Sequence, residues 1–161
     1  MVEIRQIKRE EFDQAMAIAW KTFLEFEADI YTKEGVKSFC DFIYDPLLEK
    51  MFLLGSYLIF GAFIDGRMLG MAGIRNQNHL SLLFVEKEYH KMGIGSALVS
   101  SAFQYSFQKY KERNYTVNAS PYAVEFYHKL GFWDLAPQQH KQGIIYTSMK
   151  KNLKYFQSDL D

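Results

Sequence analysis

A glycine pair set between a strand-like run and a helix-like run constrains this chain more than any other segment. Leu80 to Val85 is mostly apolar and reads as a strand, and Ser96 to Lys109 reads as a helix. Between them stands His90-Lys91-Met92-Gly93-Ile94-Gly95-Ser96. A helix start leaves several backbone N–H groups without an intrahelical partner. Those donors, with the positive end of the helix dipole, form a site for phosphate or pyrophosphate. Glycine lets the chain turn tightly and a ligand approach the backbone. The segment therefore points to a phosphate-bearing ligand at residues 90 to 96.

Two common phosphate loops do not fit. A Walker loop needs Lys between its second glycine and Ser/Thr, and here Ser96 follows Gly95 directly. A dinucleotide fingerprint needs a third glycine, where Leu98 stands, and a very short link from the strand, where Glu86 to Met92 intervene. Residues 90–95 do match Gln/Arg-x-x-Gly-x-Gly/Ala, with His90 in the first place. A second segment, Tyr115-Thr116-Val117-Asn118-Ala119-Ser120 followed by Pro121 to Phe132, reads as strand, helix, strand. Ser120 suits an N-cap, Pro121 the first helical position and Gly131 the position past the helix end. In these two motifs, from about Val2 to Lys150, the chain resembles the GCN5-related N-acetyltransferase (GNAT) family. The resemblance implies a mixed α/β fold, a central and mostly antiparallel sheet of seven strands flanked by about four helices. It implies one domain over residues 1–150, with 151–161 as a C-terminal tail.

The remaining elements agree. Val2 to Ile7 alternates as a first strand, and Phe12, Met16, Ala19, Phe23 and Phe26 recur at helical spacing. Thr32 to Tyr44 reads as a second helix, and Pro46 to Leu53 adds a turn or two. Tyr57–Ile64 and Met68–Ile74 are strands joined at Asp65-Gly66, which suits a type I′ hairpin. His79–Val85 and Gly143–Met149 are further strands, and Pro137 to Gln142 reads as a polar loop. With 161 residues, 48% hydrophobic and 17% aromatic, the chain can bury a substantial core. Lys+Arg and Asp+Glu both number 19, so charge gives no reason to expect nucleic acid or an anionic membrane as partner. Met51 to Ile64 is too short to span a bilayer, and the charged first residues lack a signal-peptide core. Cys40 is the single cysteine, which fits a reducing cytoplasm.

The resemblance also assigns chemistry. Acetyl-CoA would be the cosubstrate and a primary amine of a small molecule or peptide the acceptor, attacking directly in a ternary complex. An aliphatic amine has a pKa near 10, so a base or a water chain must take its proton. Tyr127, in the Phe-Tyr motif, is the candidate acid for the CoA thiolate; the competing reading is an aromatic packed beside Phe126 and Phe132. His79, fourteen residues before Gly93, is the candidate base, where some histone-modifying relatives carry a glutamate. By alternation His79, Ser81, Leu83 and Val85 share one strand face. The competing reading of His79 is a strand-end histidine satisfied by backbone or water. Leu83, Phe84 and Val85 would hold the pantetheine arm, with an N–H near Leu83 facing the thioester carbonyl. His90, Lys91, Met92, Gly93, Ile94, Gly95 and Ser96 would wrap the pyrophosphate, and Asn118 and Ser120 would contact the cofactor from the neighbouring strand.

For the acceptor, the first two helices offer Trp20, Phe23, Phe26, Tyr31, Phe39 and Phe42 with Glu25, Glu27 and Asp29. Aromatic faces and carboxylates suit a cationic amine, with Trp20, Glu25 and Glu27 as candidate contacts. Helical spacing favours a core role for most of the aromatics. The four histidines lack metal-ligand spacing with one another or with Cys40, so no metal is expected. A non-catalytic acyl-CoA-binding module on the same fold is the alternative function. The family leaves room for a homodimer.

Overall fold

A computed structural model describes residues 1–153 of the chain. In order, the elements are β1 (Glu3–Gln6), α1 (Phe12–Phe26), α2 (Lys33–Ile43), α3 (Pro46–Leu53), β2 (Tyr57–Ile64), β3 (Arg67–Arg75), β4 (His79–Val85), α4 (Ile94–Tyr110), β5 (Asn114–Ala119), α5 (Val124–Lys129), β6 (Trp133–Asp134), β7 (Gln139–Lys141) and β8 (Ile144–Asn152). They build one mixed sheet in the order β1-β2-β3-β4-β5-β8-β6, with β7 on β8. The pairings are antiparallel except β4 with β5. This is the mostly antiparallel architecture expected, with β7 as an added strand and five helices.

Local chemistry places each element. Asp65 and Gly66 both hold positive φ, the conformation a type I′ hairpin requires between β2 and β3. Thr32 Oγ1 caps α2 by accepting from Gly35 N at 3.1 Å, and Asp45 Oδ1 caps α3 from Leu47 N at 2.9 Å. Gly131 ends α5 with φ of +94°. β2 and β3 are buried on both faces, which is why they read as nearly continuous apolar runs. Side chains on one face pack against α4 and α5 through Phe60, Leu98, Phe103 and Tyr127. On the other, Ile59, Met16, Ala19 and Leu48 pack with α1, α2 and α3. No helix among the described residues is long and apolar enough to cross a membrane.

Four boundaries differ from the sequence reading. α4 begins at Ile94 rather than Ser96, because Gly93, at φ of +78°, is its N-cap. Gly95 and Ser96 therefore lie in its first turn. α5 begins at Val124, so Ser120 is not its cap. Ala123 N donates to the Ser120 carbonyl at 2.9 Å, closing a turn, and the hydroxyl is left over. Residues 139–141, read as loop, pair with β8 at Tyr146, Ile145 and Ile144. β8 itself continues through Lys151 and Asn152, which pair with Tyr115 and Asn114, and Leu153 N donates to Arg113 O at 2.7 Å. The remainder of the expected tail lies outside the described residues.

Candidate active site

Two irregularities in β4 make the site. The first is a bulge. Gly73 of β3 faces Leu82 and Ile74 faces Leu80, so Ser81 has no opposite residue. A bulge places two consecutive side chains on one side and reverses the alternation beyond them. Leu80 accordingly packs with Phe103 and Tyr115, while Leu82 packs with Met16 and Met71 on the opposite face. Leu83 and Val85 return to the first face. The alternation expected for His79, Ser81, Leu83 and Val85 is thus broken at Ser81. Tyr57 accounts for the kink. Its hydroxyl lies 2.5 Å from Ser81 Oγ, and its ring fills the space a Cβ would need on Gly73.

The second irregularity is a split. β4 and β5 pair only at His79↔Thr116 and Leu80↔Val117. Beyond that point β4 runs on to Val85 and β5 to Ala119 with no pairing between them, leaving a wedge. Glu86 N donates to Leu69 O at 2.8 Å, and antiparallel pairs alternate in which side their backbone faces. Leu83 and Val85 therefore turn their N–H and C=O groups into the wedge, while Phe84 turns its own toward β3. An extended chain could add there as a strand.

The far end of the wedge meets the start of α4. Its first backbone bond runs from Ala97 N to Gly93 O, so the amides of Ile94, Gly95 and Ser96 precede it without an intrahelical acceptor. Open space surrounds Gly93, where a Cβ would meet nothing within 4 Å. Gly95 is glycine for another reason, since a Cβ would touch the Phe126 ring at 3.3 Å. Lys91 and Met92 are exposed, and Lys91 holds φ of +65°. His90 donates from Nε2 to Val85 O at 2.6 Å and lies against Phe26 at 4.8 Å. Its imidazole is a brace between the loop and β4, not a free anion ligand.

At the near end a cavity of about 230 Å³ opens between α1, α2, β4 and β5. Leu83, Phe84, Asn118, Ser120, Tyr127 and Glu27 all line it. Asn118 Oδ1 accepts from Ser148 Oγ at 2.9 Å, which leaves the amide NH2 as its donor. Tyr127 is only 4% exposed and sits edge-on to Phe126 and Phe132. Burial, and then the nearby Glu27 charge, push its phenol above the usual tyrosine range, so it is protonated at neutral pH. Burial likewise raises the Glu27 carboxyl, opposed by Ser120 beside it. Ser120 Oγ is buried at the cavity wall beside the Glu27 carboxyl, just outside hydrogen-bond geometry.

Three candidates lie elsewhere. His79 sits at the closed tip of the split, its Nδ1 2.8 Å from Thr116 Oγ1, and does not line the cavity. Burial, and then the Arg75 charge, depress its pKa to about 4. It stands as a strand-end histidine on Thr116, outside the cavity that Glu27 and Tyr127 line. Trp20 stacks on Phe23 and Phe39 as part of the packing around α1. Glu25 faces solvent. Ser38 and Ser81 line the cavity without having been singled out by sequence. Gly73, which faces Ile59 and over which the Tyr57 ring reaches diagonally, was the one trace of the bulge. Among the described residues, no group of three or more His, Cys, Asp or Glu could hold a metal.

The His79 shift carries a pH prediction. Its folded pKa lies below the unfolded value of 6.5, so the unfolded chain binds the proton more readily. That contribution to stability is complete above pH 6.5 and is lost as pH falls toward about 4. His79→Gln should flatten the loss of stability over this window, read by urea denaturation at several pH values, and should leave turnover within about twofold, since the side chain touches no reacting group.

Comparison with known proteins now gives this geometry a family. The family model of an acetyltransferase (GNAT) domain matches residues 27–153. Uncharacterized N-acetyltransferase YafP of Escherichia coli (strain K12) is 24% identical over 138 residues, covering 86% of this chain and 85% of that protein. A GCN5-related N-acetyltransferase from Rhodopseudomonas palustris superposes with a TM-score of 0.79 at 23% identity, over 94% of this chain and 95% of that one. PaiA N-acetyltransferase from Thermoplasma acidophilum, solved with coenzyme A, gives 0.76 at 22% identity, over 94% and 99%. The structural likenesses establish the fold, and the match that spans most of the sequence establishes that the chain belongs to the GNAT acetyltransferase family.

Proposed function

We propose that this protein is an N-acetyltransferase that moves an acetyl group from acetyl-CoA to a primary amine by direct attack in a ternary complex. The observation that carries the reading is the split between β4 and β5. It has free α4 amides at one end and Tyr127 lining the cavity at the other, so a pyrophosphate and a thioester on one extended arm would each meet a group suited to it.

The arm adds to the wedge as a strand on Leu83 and the Val85 N–H, the Val85 carbonyl being held by His90, with Asn118 donating from the opposite lip. Residues 91–96 receive the pyrophosphate through backbone N–H groups. Glu27 holds the acceptor ammonium and takes its proton, a task its raised pKa favours. The amine nitrogen then attacks the thioester carbonyl, and the backbone N–H near Leu83 stabilises the oxyanion. Collapse breaks the carbon–sulfur bond. The thiolate takes the Tyr127 proton, and Tyr127 regains one from the new amide nitrogen. One proton per turnover leaves through Glu27.

Thermal unfolding with acetyl-CoA, CoA, ATP and NAD side by side tests the cosubstrate. At a hundred times its dissociation constant a ligand of the folded state adds about 2.7 kcal/mol. Acetyl-CoA and CoA should raise Tm by several degrees and ATP and NAD should not. No response to either CoA species at millimolar ligand overturns the reading.

A further inference from the structure

Among the described residues the cavity wall carries one charge. Phe23, Tyr31, Phe39 and Phe42 supply aromatic surface and Ile144 an aliphatic edge, with Glu27 the sole carboxylate among them. Among the described lining residues there is no Lys, Arg or His. The rings are fixed by one another. Phe23 and Phe39 stack at 4.1 Å and 6°, and Phe23 meets Tyr31 at 5.4 Å. A buried charge without a partner is costly, so the charge pattern of a wall selects the charge pattern of its occupant. An amino acid would bring a carboxylate with no cation to meet it. A polyamine would bring second and third ammonium groups with no carboxylate to meet them. A multi-ring aminosugar would set hydroxyls against phenyl faces.

A protein substrate is disfavoured by another feature. The β7–β8 turn is pressed backbone to backbone on the first turn of α2. Thr32 N donates to Gly143 O at 3.3 Å, and a Cβ on either Gly35 or Gly143 would collide with the other residue's backbone. No peptide chain passes between them beside Ile144.

Resting on the acetyl-transfer reading above, we infer that the acceptor is a primary amine with a single positive charge on a compact apolar or aromatic body. Glu27 receives the ammonium, and the faces of Tyr31, Phe39 and Phe42 enclose the body and add cation–π attraction near the charged end.

The test uses 2-phenylethylamine, spermidine and lysine as acceptors in a thiol-release assay. Titration of each amine into the protein saturated with CoA gives a second, activity-independent readout. 2-Phenylethylamine should exceed the other two in kcat/KM by about tenfold or more, since each 1.4 kcal/mol of differential binding is tenfold. Glu27→Gln should raise its Kd about tenfold with CoA affinity unchanged, and Phe42→Ala should do likewise by removing wall rather than charge. Preference for spermidine or lysine overturns the inference and leaves acetyl transfer standing. Equal binding of 2-phenylethylamine by the Glu27→Gln and Phe42→Ala variants and the parent also overturns it. Glu27-dependent binding without thiol release from any amine upholds the pocket chemistry and refutes acetyl transfer instead.

Discussion

Replacing Tyr127 by phenylalanine should lower kcat about a hundredfold and leave CoA affinity within about twofold. General acid catalysis contributes roughly 10²–10⁴-fold, and the lower end applies because water can reach a leaving thiolate that has lost its partner. The substitution removes one oxygen and keeps the ring that Phe126 and Phe132 pack against at 5.0 and 5.3 Å. Folding should therefore be retained, read by an unchanged thermal transition. Burial makes the phenol a poor source of protons to water and keeps it fully protonated before each turnover. In the proposed mechanism its proton would move only when a thiolate appears against it and the amide nitrogen can replace it. A non-catalytic CoA-binding module would show no thiol release in the parent protein and nothing for the variant to lose. Undiminished turnover in Tyr127→Phe would remove the acid role.

Gly93→Val should weaken acetyl-CoA binding at least about tenfold. The position holds φ of +78°, where a β-branched residue costs roughly 1–2 kcal/mol in the left-handed region. That strain alone would lower stability without touching a ligand. Gly55 provides the control, because it holds φ of +85°, has the same empty surroundings, and lies between α3 and β2 away from the loop. Gly55→Val should lower Tm comparably and bind acetyl-CoA as the parent does. The difference in Kd between the two variants, measured by titration calorimetry, isolates the space beside Gly93 as ligand space. Equal affinities would show that the α4 amides do not hold the pyrophosphate.

Most elements were legible because they follow local rules. Asp65-Gly66, Pro46 at the start of α3 and the Gly93–Gly95 pair each carry their conformation in their own chemistry. What escaped depends on contacts distant in sequence. Alternation assumes a period of two, and the Ser81 bulge is imposed by Tyr57 lying under Gly73. Ser120 has the makings of a cap, yet its carbonyl closes the turn and its hydroxyl goes to the cavity. β7 is built from exposed Gln, His and Lys, so no apolar period marks it. For the acceptor, residue type alone could not separate Trp20, which packs inward, from Glu27, which turns in at the end of α1. The two lie on nearly one face of α1, and position along the helix separates them, Trp20 stacking on Phe23 and Phe39 and Glu27 standing at the C-terminal end beside the cavity.

The two-pair junction of β4 and β5 gives the molecule a mechanical weak line. β1 to β4 form one plate and β5, β8 and β6 another, fastened along the sheet by two residue pairs, the Thr116 N to Asn78 O bond and the His79–Thr116 contact. A strand-like ligand bonded to both lips is then a rivet as well as a reactant. On the proposed reading, each cycle would set the rivet and draw it again. The stability of the fold would then rise with the concentration of the compound that fills the wedge.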